Sequence, residues 1–337
     1  QEGLKYVFQT QNPVVVLASS GTGAMECALT GVTNPGEKVI CVEGGKFGER
    51  WGEIGKAYGL NAIRVPVEWG GVITPAQIKE LLEQNPDAKA VCVTHCETST
   101  GVLTDIKGIA EVVSKTDALL LVDAVSSLGA EELRTDEWKI DIVVTGSQKA
   151  LMLPPGLAFL SISPRAQEKA QKSTTASYYF SLKKYLKNLD KKTTPYTPAV
   201  SLILALDKSL EMIKKEGIEN IWARHAKLSK AIQAGVQAIG LKICSQVASH
   251  VVTPIWVPEG IDGKAIPKKL RDKYGVTIAG GQGQWEGKII RIATLGYATA
   301  FDATTGICAL ELALKELGYK FEEGAAIKAA LKVLMEN

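Results

Sequence analysis

Three segments of this chain place reactive residue types where an α/β protein can use them. The first, Ser19-Ser20-Gly21-Thr22-Gly23-Ala24-Met25-Glu26, follows an apolar run and opens an amphipathic one. Small residues let the backbone approach a ligand, and a helix N-terminus offers unpaired N–H groups and a positive dipole end, so this segment suits a phosphate. It is not a P-loop, because no Lys follows the second glycine. Nor is it the GxGxxG dinucleotide fingerprint, because Glu26 stands in place of the third glycine. Read alone, it is equally a plain strand-to-helix turn. The second segment, Leu121-Val122-Asp123-Ala124-Val125-Ser126-Ser127, ends an apolar run on an acid. Open α/β sheets bind ligands at such strand ends, and a carboxylate there needs a cation or a hydrogen bond. By itself Asp123 serves equally as a surface cap on the next segment. The third segment is Val143-Val144-Thr145-Gly146-Ser147-Gln148-Lys149-Ala150-Leu151, with Pro154-Pro155-Gly156 beyond it. A lysine whose charge is disfavoured by its surroundings forms Schiff bases; a solvated loop lysine is the plainer reading of this segment alone.

Taken together, a phosphate cradle, an acid at a strand end and a lysine past the next strand are the three parts that a pyridoxal phosphate enzyme needs. The lysine holds the aldehyde carbon, the acid keeps the pyridine nitrogen protonated, and the cradle holds the phosphate.

The chain resembles the class V aminotransferases of the fold-type I pyridoxal phosphate superfamily, in the alanine–glyoxylate and serine–pyruvate branch. The resemblance is carried by SSGTGAME, THCETSTG, VDAVSSLG, TGSQKAL with PPGLAF, and AGGQGQWEGKIIRIATLGY, in that order along nearly the whole chain. It implies that Lys149 is the Schiff-base lysine and later the proton-moving base. It implies that Asp123 pairs with the pyridinium nitrogen and that Val125 packs on one ring face. Ser20, Gly21 and Thr22 would hold the phosphate, with Gln148 assisting. Phe47 takes the place where the family often has a stacking Trp, and Thr98 falls where it has a Ser or Thr near the cofactor oxygen. Arg291 falls at the clamp for the substrate α-carboxylate, for which a bidentate guanidinium is suited.

By the same resemblance, Thr194-Pro195-Tyr196-Thr197-Pro198 matches a stretch that crosses to the partner subunit's phosphate. Thr197 is its counterpart there, while the family's Tyr aligns with Thr194. The implied assembly is a homodimer with shared sites, acting by ping-pong transfer from serine, alanine or aspartate to a 2-oxo acid such as glyoxylate or pyruvate. Related chains carry a further N-terminal arm that lines the pocket, and the missing initial Met suggests a fragment.

The elements that must position these residues are legible as patterns. Strand candidates are Pro13–Ala18, Lys38–Val42, Ala62–Pro66, Ala90–Thr94, Ala118–Asp123, Asp141–Thr145 and Leu157–Ser161. Helical patterns at Ala24–Gly31, Gly48–Tyr58, Pro75–Asn85 and Ile106–Lys115 alternate with them. That alternation predicts an α/β layer structure with a mainly parallel sheet. Residues Lys169 to Thr197 show no clean period. Helices are expected at Pro198–Lys215, Asn220–Gly240, Ala303–Leu317 and Ala325–Met335, and strands at Val251–Val257, Val276–Ala279 and Ile289–Ala293. The reading is a large cofactor-binding domain over 1–216 and a smaller C-terminal α+β domain over 217–337.

Composition narrows the classes further. Of 337 residues, 46% are hydrophobic and 22% charged, which is globular rather than disordered. The net charge of +3 and the absence of a basic cluster speak against nucleic-acid or membrane-surface binding. No run approaches the length of a membrane span, and the N-terminus lacks a signal-peptide pattern. The six cysteines are dispersed, so a disulfide framework is not expected and a reducing, cytoplasmic setting is. Cys92, His95 and Cys96 make a poor metal set, and no metal is expected.

Three rivals remain at this level. A cysteine desulfurase of the same fold, or a lyase, is one; the desulfurase needs a nucleophilic cysteine on an exposed loop, whereas Cys308 lies in a helical pattern and Cys244 reads as strand-like. A non-catalytic subunit of a larger redox complex is another, which has no need of Lys149, Asp123 and Arg291. A nucleotide-binding oxidoreductase is the third, opposed by the missing glycine. His225 reads as a surface residue, His250 as structural, and His95 as either packed or bordering the pocket.

Overall fold

The computed structural model describes residues 1–336. The first half runs α1 (Glu2–Phe8), β1 (Val14–Leu17), α2 (Gly21–Val32), β2 (Lys38–Glu43), α3 (Glu49–Ala57), β3 (Asn61–Pro66), α4 (Pro75–Gln84) and β4 (Ala90–Thr94). A short hairpin, β5 (Cys96–Glu97) and β6 (Val102–Leu103), precedes α5 (Ile106–Val113), β7 (Leu119–Asp123), β8 (Ile142–Gly146) and β9 (Ala158–Ile162). Then come α6 (Pro164–Lys172), α7 (Leu182–Leu189), α8 (Val200–Glu216) and α9 (Ile218–Ala238). The C-terminal part is β10 (Val252–Trp256), α10 (Ala265–Tyr274), β11 (Ala279–Gly280), β12 (Ile289–Ala293), α11 (Ala300–Glu316) and α12 (Ala325–Met335).

The central sheet has the order β1-β9-β8-β7-β4-β2-β3. β3, β2, β4, β7 and β8 are mutually parallel, and β9 is antiparallel to both β8 and β1. The inner strands β4, β7, β8 and β9 are buried along their whole length because both faces are covered, whereas the edge strand β3 is partly exposed. Successive side chains of a strand point to opposite faces, and here they feed two separate cores. Val91, Val93, Leu120, Val122, Val143 and Phe159 pack with α1, α4, α5 and α8. Cys92, Leu119, Leu121, Ile142, Val144 and Leu160 pack with α2, α3, α6 and α7.

A third core joins α9–α12 and the β10-β12-β11 sheet, from Leu228 to Ala330. The first turn of α9 behaves differently: Ile218 and Ile221 pack into the α1/α8 core. Of the C-terminal unit expected over 217–337, the final residue lies outside the described residues. Where the two sides meet, Cys96, Ala130 and Ala150 pack against Val251 and Val252. No helix among the described residues is long and apolar enough to cross a membrane.

Each strand expected in the first half is present to within a residue or two at its ends, and β4 and β12 match their expected bounds. The helices α1, α6, α7 and α10 escaped the sequence reading. α7 is amphipathic with Leu182 and Tyr185 buried, but its lysines break the apolar count. α6 buries only Ala166 and Ala170, too small to make an apolar stripe. α1 and α10 are each tied down by two or three buried side chains. The strand expected at Val276–Ala279 reduces to Ala279–Gly280, because the Val276 N–H returns to Leu270 O in the turn closing α10.

Gly101 shows how tightly the seam is built. Its φ is +70°, and a Cβ there would lie 2.4 Å from Pro254 of β10. Gly101→Ala therefore combines left-handed strain with overpacking. We expect a loss of about 2–4 kcal/mol, read as a lower urea midpoint.

Candidate active site

The C-terminal ends of β4, β7 and β8 and the N-terminus of α2 converge on one cleft. Ser20 is the N-cap of α2 and is exposed. The Gly23 and Ala24 N–H groups return to Ser20 O, which leaves those of Gly21 and Thr22 without an intrahelical acceptor. Glycine is required at position 21, because a Cβ would lie 2.5 Å from Val125 Cγ2. The Thr22 hydroxyl accepts from Arg50 Nη1 at 3.0 Å, and the Arg50 guanidinium lies 4.8 Å from the centre of the Phe47 ring. Arg50 thus ties the phosphate-type cradle to the aromatic face.

Asp123 closes β7, level with Thr94 of β4 and Val144 of β8. It is buried, and one oxygen accepts from Val125 N–H at 2.8 Å. Burial pushes its carboxyl up to about 7; the Val125 N–H works against that rise, the Glu97 charge adds to it, and Arg50 and Lys149 oppose it. An acid so placed has no ion-pair partner among the described residues.

Lys149 stands on the loop that returns β8 to β9. Ser147, fully buried, closes that loop: its hydroxyl donates to Pro154 O at 2.8 Å and accepts from Leu157 N–H at 3.2 Å. Lys149 O accepts from Met152 N–H, and Met152 adopts a left-handed φ of 58° that costs on the order of 1 kcal/mol. The Lys149 amine is half-buried and makes no hydrogen bond or ion pair among the described residues. Burial lowers its basicity, with Arg291 and Arg50 adding to the effect while Cys96 and Asp123 oppose it. Gln148 is exposed, its Oε1 beside Gly146.

Arg291 reaches in from β12, paired there with Pro254 and Ala279. Its Nε donates to Gly280 O at 2.9 Å and its Nη1 to Thr98 O at 2.6 Å. The Nη2 donors have no acceptor among the described residues and remain available to a carboxylate.

The structure therefore brings Ser20, Gly21, Thr22, Phe47, Thr98, Asp123, Val125, Gln148, Lys149 and Arg291 to one cleft. Thr197 does not join them within this chain: it is exposed and lines a crevice with Val16, Ala18 and Tyr179. Sequence reasoning missed Arg50 and Glu97. Arg50 carried a usable signal, standing one helical turn beyond Phe47 at the start of α3.

Other side chains fall differently from expectation. His225, read as a surface residue, is fully buried on α9, with Nδ1 2.8 Å from Ile221 O. His250 lies 2.7 Å from the buried Glu131 carboxylate, which ties the approach to β10 to the segment between β7 and β8. His95 is buried, and burial pushes it down to about 4, so it is neutral at neutral pH. Cys244, read as strand-like, is half-buried in a segment that runs antiparallel beside β10: Ile243 bridges Ile255, and Cys244 N–H donates to Pro254 O at 3.1 Å. Cys308 is exposed, on helix α11. All six cysteines are free.

These are donors and acceptors left half-satisfied around one cleft: two helix N–H groups, a buried acid, an unpaired lysine and an open guanidinium edge. With the parallel sheet beneath, they define the fold-type I architecture of the pyridoxal phosphate transferases. The aminotransferase class-V family model matches residues 1–288. A Synechococcus protein named soluble hydrogenase, small subunit, is 43% identical over 339 residues, covering 98% of this chain and 88% of its own. The L-aspartate–glyoxylate aminotransferase of Paracoccus denitrificans is 38% identical over 337 residues, covering 98% and 85%. The crystal structure of ureidoglycine–glyoxylate aminotransferase from Bacillus subtilis superposes with a TM-score of 0.95 at 32% identity, covering 99% of this chain and 88% of that one. The chain belongs to the class V aminotransferase family.

The Asp123 environment gives a stability prediction with a definite sign. An acid whose folded value is raised from 3.8 to about 7 destabilises the fold where it must ionise, so the penalty is absent below pH 4 and complete above pH 7. Without cofactor, Asp123→Asn should be more stable than the wild type at pH 8, by about 1–3 kcal/mol, and no more stable at pH 4. Thermal unfolding at the two pH values checks this.

Proposed function

We propose that this chain is a pyridoxal-phosphate-dependent aminotransferase that moves an amino group from a small amino acid to a 2-oxo acid such as glyoxylate or pyruvate. The observation that carries this reading is the convergence of Asp123, Lys149 and Arg291, each buried or half-buried and each incompletely partnered. The residues fit the cofactor. The free N–H groups of Gly21 and Thr22, with Arg50 behind Thr22, suit a phosphate dianion. Asp123 lacks the close cation that a protonated ring nitrogen supplies, and Val125 and Phe47 offer two ring faces.

When bound, pyridoxal phosphate supplies an aldehyde that condenses with amines and a ring that withdraws electrons. Everything else is done by side chains. Arg291 Nη2 holds the donor's α-carboxylate while Nε and Nη1 stay anchored on Gly280 O and Thr98 O, so the guanidinium is oriented before substrate arrives. Lys149 Nζ, made less basic by burial, loses its proton readily and takes the α-proton of the donor. Asp123 holds the ring nitrogen in its protonated form. One clamp and one base serve both half-reactions, so the donor's product leaves before the acceptor enters, in ping-pong order.

The Thr194–Pro198 stretch and the exposed Thr197 are best explained by a homodimer in which Thr197 reaches the neighbouring copy's phosphate. A cytoplasmic setting is consistent with six free thiols. Division of labour between 1–216, holding the cofactor, and 217–337, presenting Arg291, completes the reading. Donors among serine, alanine and aspartate are favoured by the relatives' names, as are 2-oxo acid acceptors. The Synechococcus relative's name raises a subunit role in a redox assembly; that role gives no reason for an unpaired, half-buried lysine facing a buried acid.

The test is an absorbance spectrum of the protein with pyridoxal phosphate, before and after L-serine, L-alanine and L-aspartate. We expect a visible band from the lysine-bound cofactor that a donor bleaches to the amine form and that is absent in Lys149→Ala. A protein that takes up no cofactor overturns the reading. Lys149→Ala should lower kcat by about a thousandfold or more. Arg291→Lys should raise the donor's KM about 10- to 100-fold with a smaller effect on kcat, because a point charge replaces a fork anchored at two carbonyls.

A further inference from the structure

We infer that Glu97 is a positioning residue of this active site, fixing Phe47 and, through the Thr98 carbonyl beside it, Arg291, so that the cofactor face and the substrate clamp are set by one tripeptide. The inference rests on the aminotransferase reading above.

Glu97 ends β5 and is 3% exposed, with no basic side chain hydrogen-bonded or ion-paired to it among the described residues. Its charge is met by donors from two directions. Oε2 accepts from Gly48 N–H at 2.8 Å and from Phe47 N–H at 3.1 Å. Oε1 accepts from Ser99 N–H at 3.2 Å and from the Ser99 hydroxyl at 2.5 Å. The Ser99 oxygen in turn accepts from Lys46 N–H at 3.0 Å. Glu97 and Ser99 together therefore take three consecutive N–H groups, those of Lys46, Phe47 and Gly48, at the mouth of α3. Gly45 makes room for this: a Cβ there would lie 2.4 Å from Ser99 Oγ and 2.6 Å from Glu97 Cδ.

The consequence for the cleft is geometric. The held loop carries Phe47, and the helix it starts carries Arg50, which bonds Thr22. Between Glu97 and Ser99, the Thr98 carbonyl faces the other way and accepts from Arg291 Nη1. Side chains at 97 and 99 thus grip one wall of the cleft while the carbonyl at 98 grips the other. The tight turn is locked by Gly101 N–H and Thr100 N–H, both donating to Glu97 O. A plain helix cap would explain the first grip and not the second. Burial raises the Glu97 carboxyl, and the Ser99 hydroxyl and the N–H groups of Gly48, Ser99 and Phe47 oppose that rise.

The experiment compares wild type and Glu97→Met, each loaded with pyridoxal phosphate. The methionine side chain is similar in length but offers no oxygen to the Phe47, Gly48 and Ser99 N–H groups, so the grip is lost with little change in volume. Three readouts are taken: hydrogen exchange of the 45–49 segment, the cofactor Kd by absorbance titration, and KM and kcat for whichever of L-serine, L-alanine and L-aspartate the wild type turns over. We expect exchange at Lys46, Phe47 and Gly48 to quicken at least about tenfold, the cofactor Kd to rise about tenfold, and KM to rise about tenfold with kcat less affected. In combination with Arg291→Lys, the KM effects should fall short of multiplying, since both act through one clamp.

Quickened exchange with an unchanged KM makes Glu97 a local cap and overturns the coupling to Arg291. Unchanged exchange overturns the positioning role altogether. A wild type that binds no cofactor fails the aminotransferase reading instead, and the exchange comparison still reports on Glu97. Should Glu97→Met not fold, Ser99→Ala removes the Lys46 acceptor and one Glu97 donor; wild-type values of Kd and KM in that variant overturn the proposal equally.

Discussion

Taking an ionisable group out of water without giving it a full partner is unfavourable, and the cleft is organised around one such group. Asp123 has left solvent with a single backbone N–H for company, and its carboxyl is raised accordingly. The surrounding charges answer it incompletely: Arg50 is committed to Thr22 and stacked on Phe47, and Lys149 points into the same space unbonded. Such an arrangement destabilises the empty protein and favours a ligand that brings a cation to the acid, an anion to the α2 N-terminus and a carbonyl to the lysine. Stability and function are opposed here, as at many sites that bind through desolvated groups.

That opposition demands a stiff frame, since a loose one would let the acid rotate to water or the lysine fold onto the acid. The frame is supplied by buried polar groups that are satisfied to completion. Ser147 closes the lysine loop at both ends. The Thr145 hydroxyl bonds Ala124 O, pinning the segment that comes after Asp123. Glu97 and Ser99 consume the N–H groups at the mouth of α3. Fully satisfied networks rigidify, whereas half-satisfied groups await a partner; the cleft uses the first kind to hold the second in place.

The layout of the sheet was legible from the sequence because the strands are short, apolar and bounded by turn residues, and because both faces are buried. The lysine, the acid and the cradle were legible because strand ends and helix starts bring them to one edge of such a sheet. α7 was not, since its stability comes from Leu182 and Tyr185 seated on the α2 side, as shown by the contact a Cβ at Gly31 would make with Leu182, and not from its own composition. Arg50, Glu97 and the burial of His225 were not legible for a related reason. The roles of Arg50 and Glu97 lie in contacts between segments far apart in the chain, Arg50 with Thr22 and Glu97 with Phe47, while His225 is a polar residue buried on α9. A charged residue looks the same in sequence whether it faces water or a buried N–H.

Arg291 meets the same demand for stiffness at the seam. Arg291 belongs to the C-terminal sheet, yet its guanidinium is anchored on a carbonyl of the β5–β6 hairpin, which belongs to the large sheet's side. That hairpin is stitched to the C-terminal part repeatedly: Leu103 N–H to Val247 O, Ser249 N–H to Gly101 O, and the Ser245 hydroxyl to Thr100 O. The buried Glu131 carboxylate adds a further tie to His250. A guanidinium suspended between two independently moving bodies would lose its orientation with every relative shift. By tying the hairpin to both, the protein makes the placement of Arg291 relative to Lys149 a property of one stitched unit.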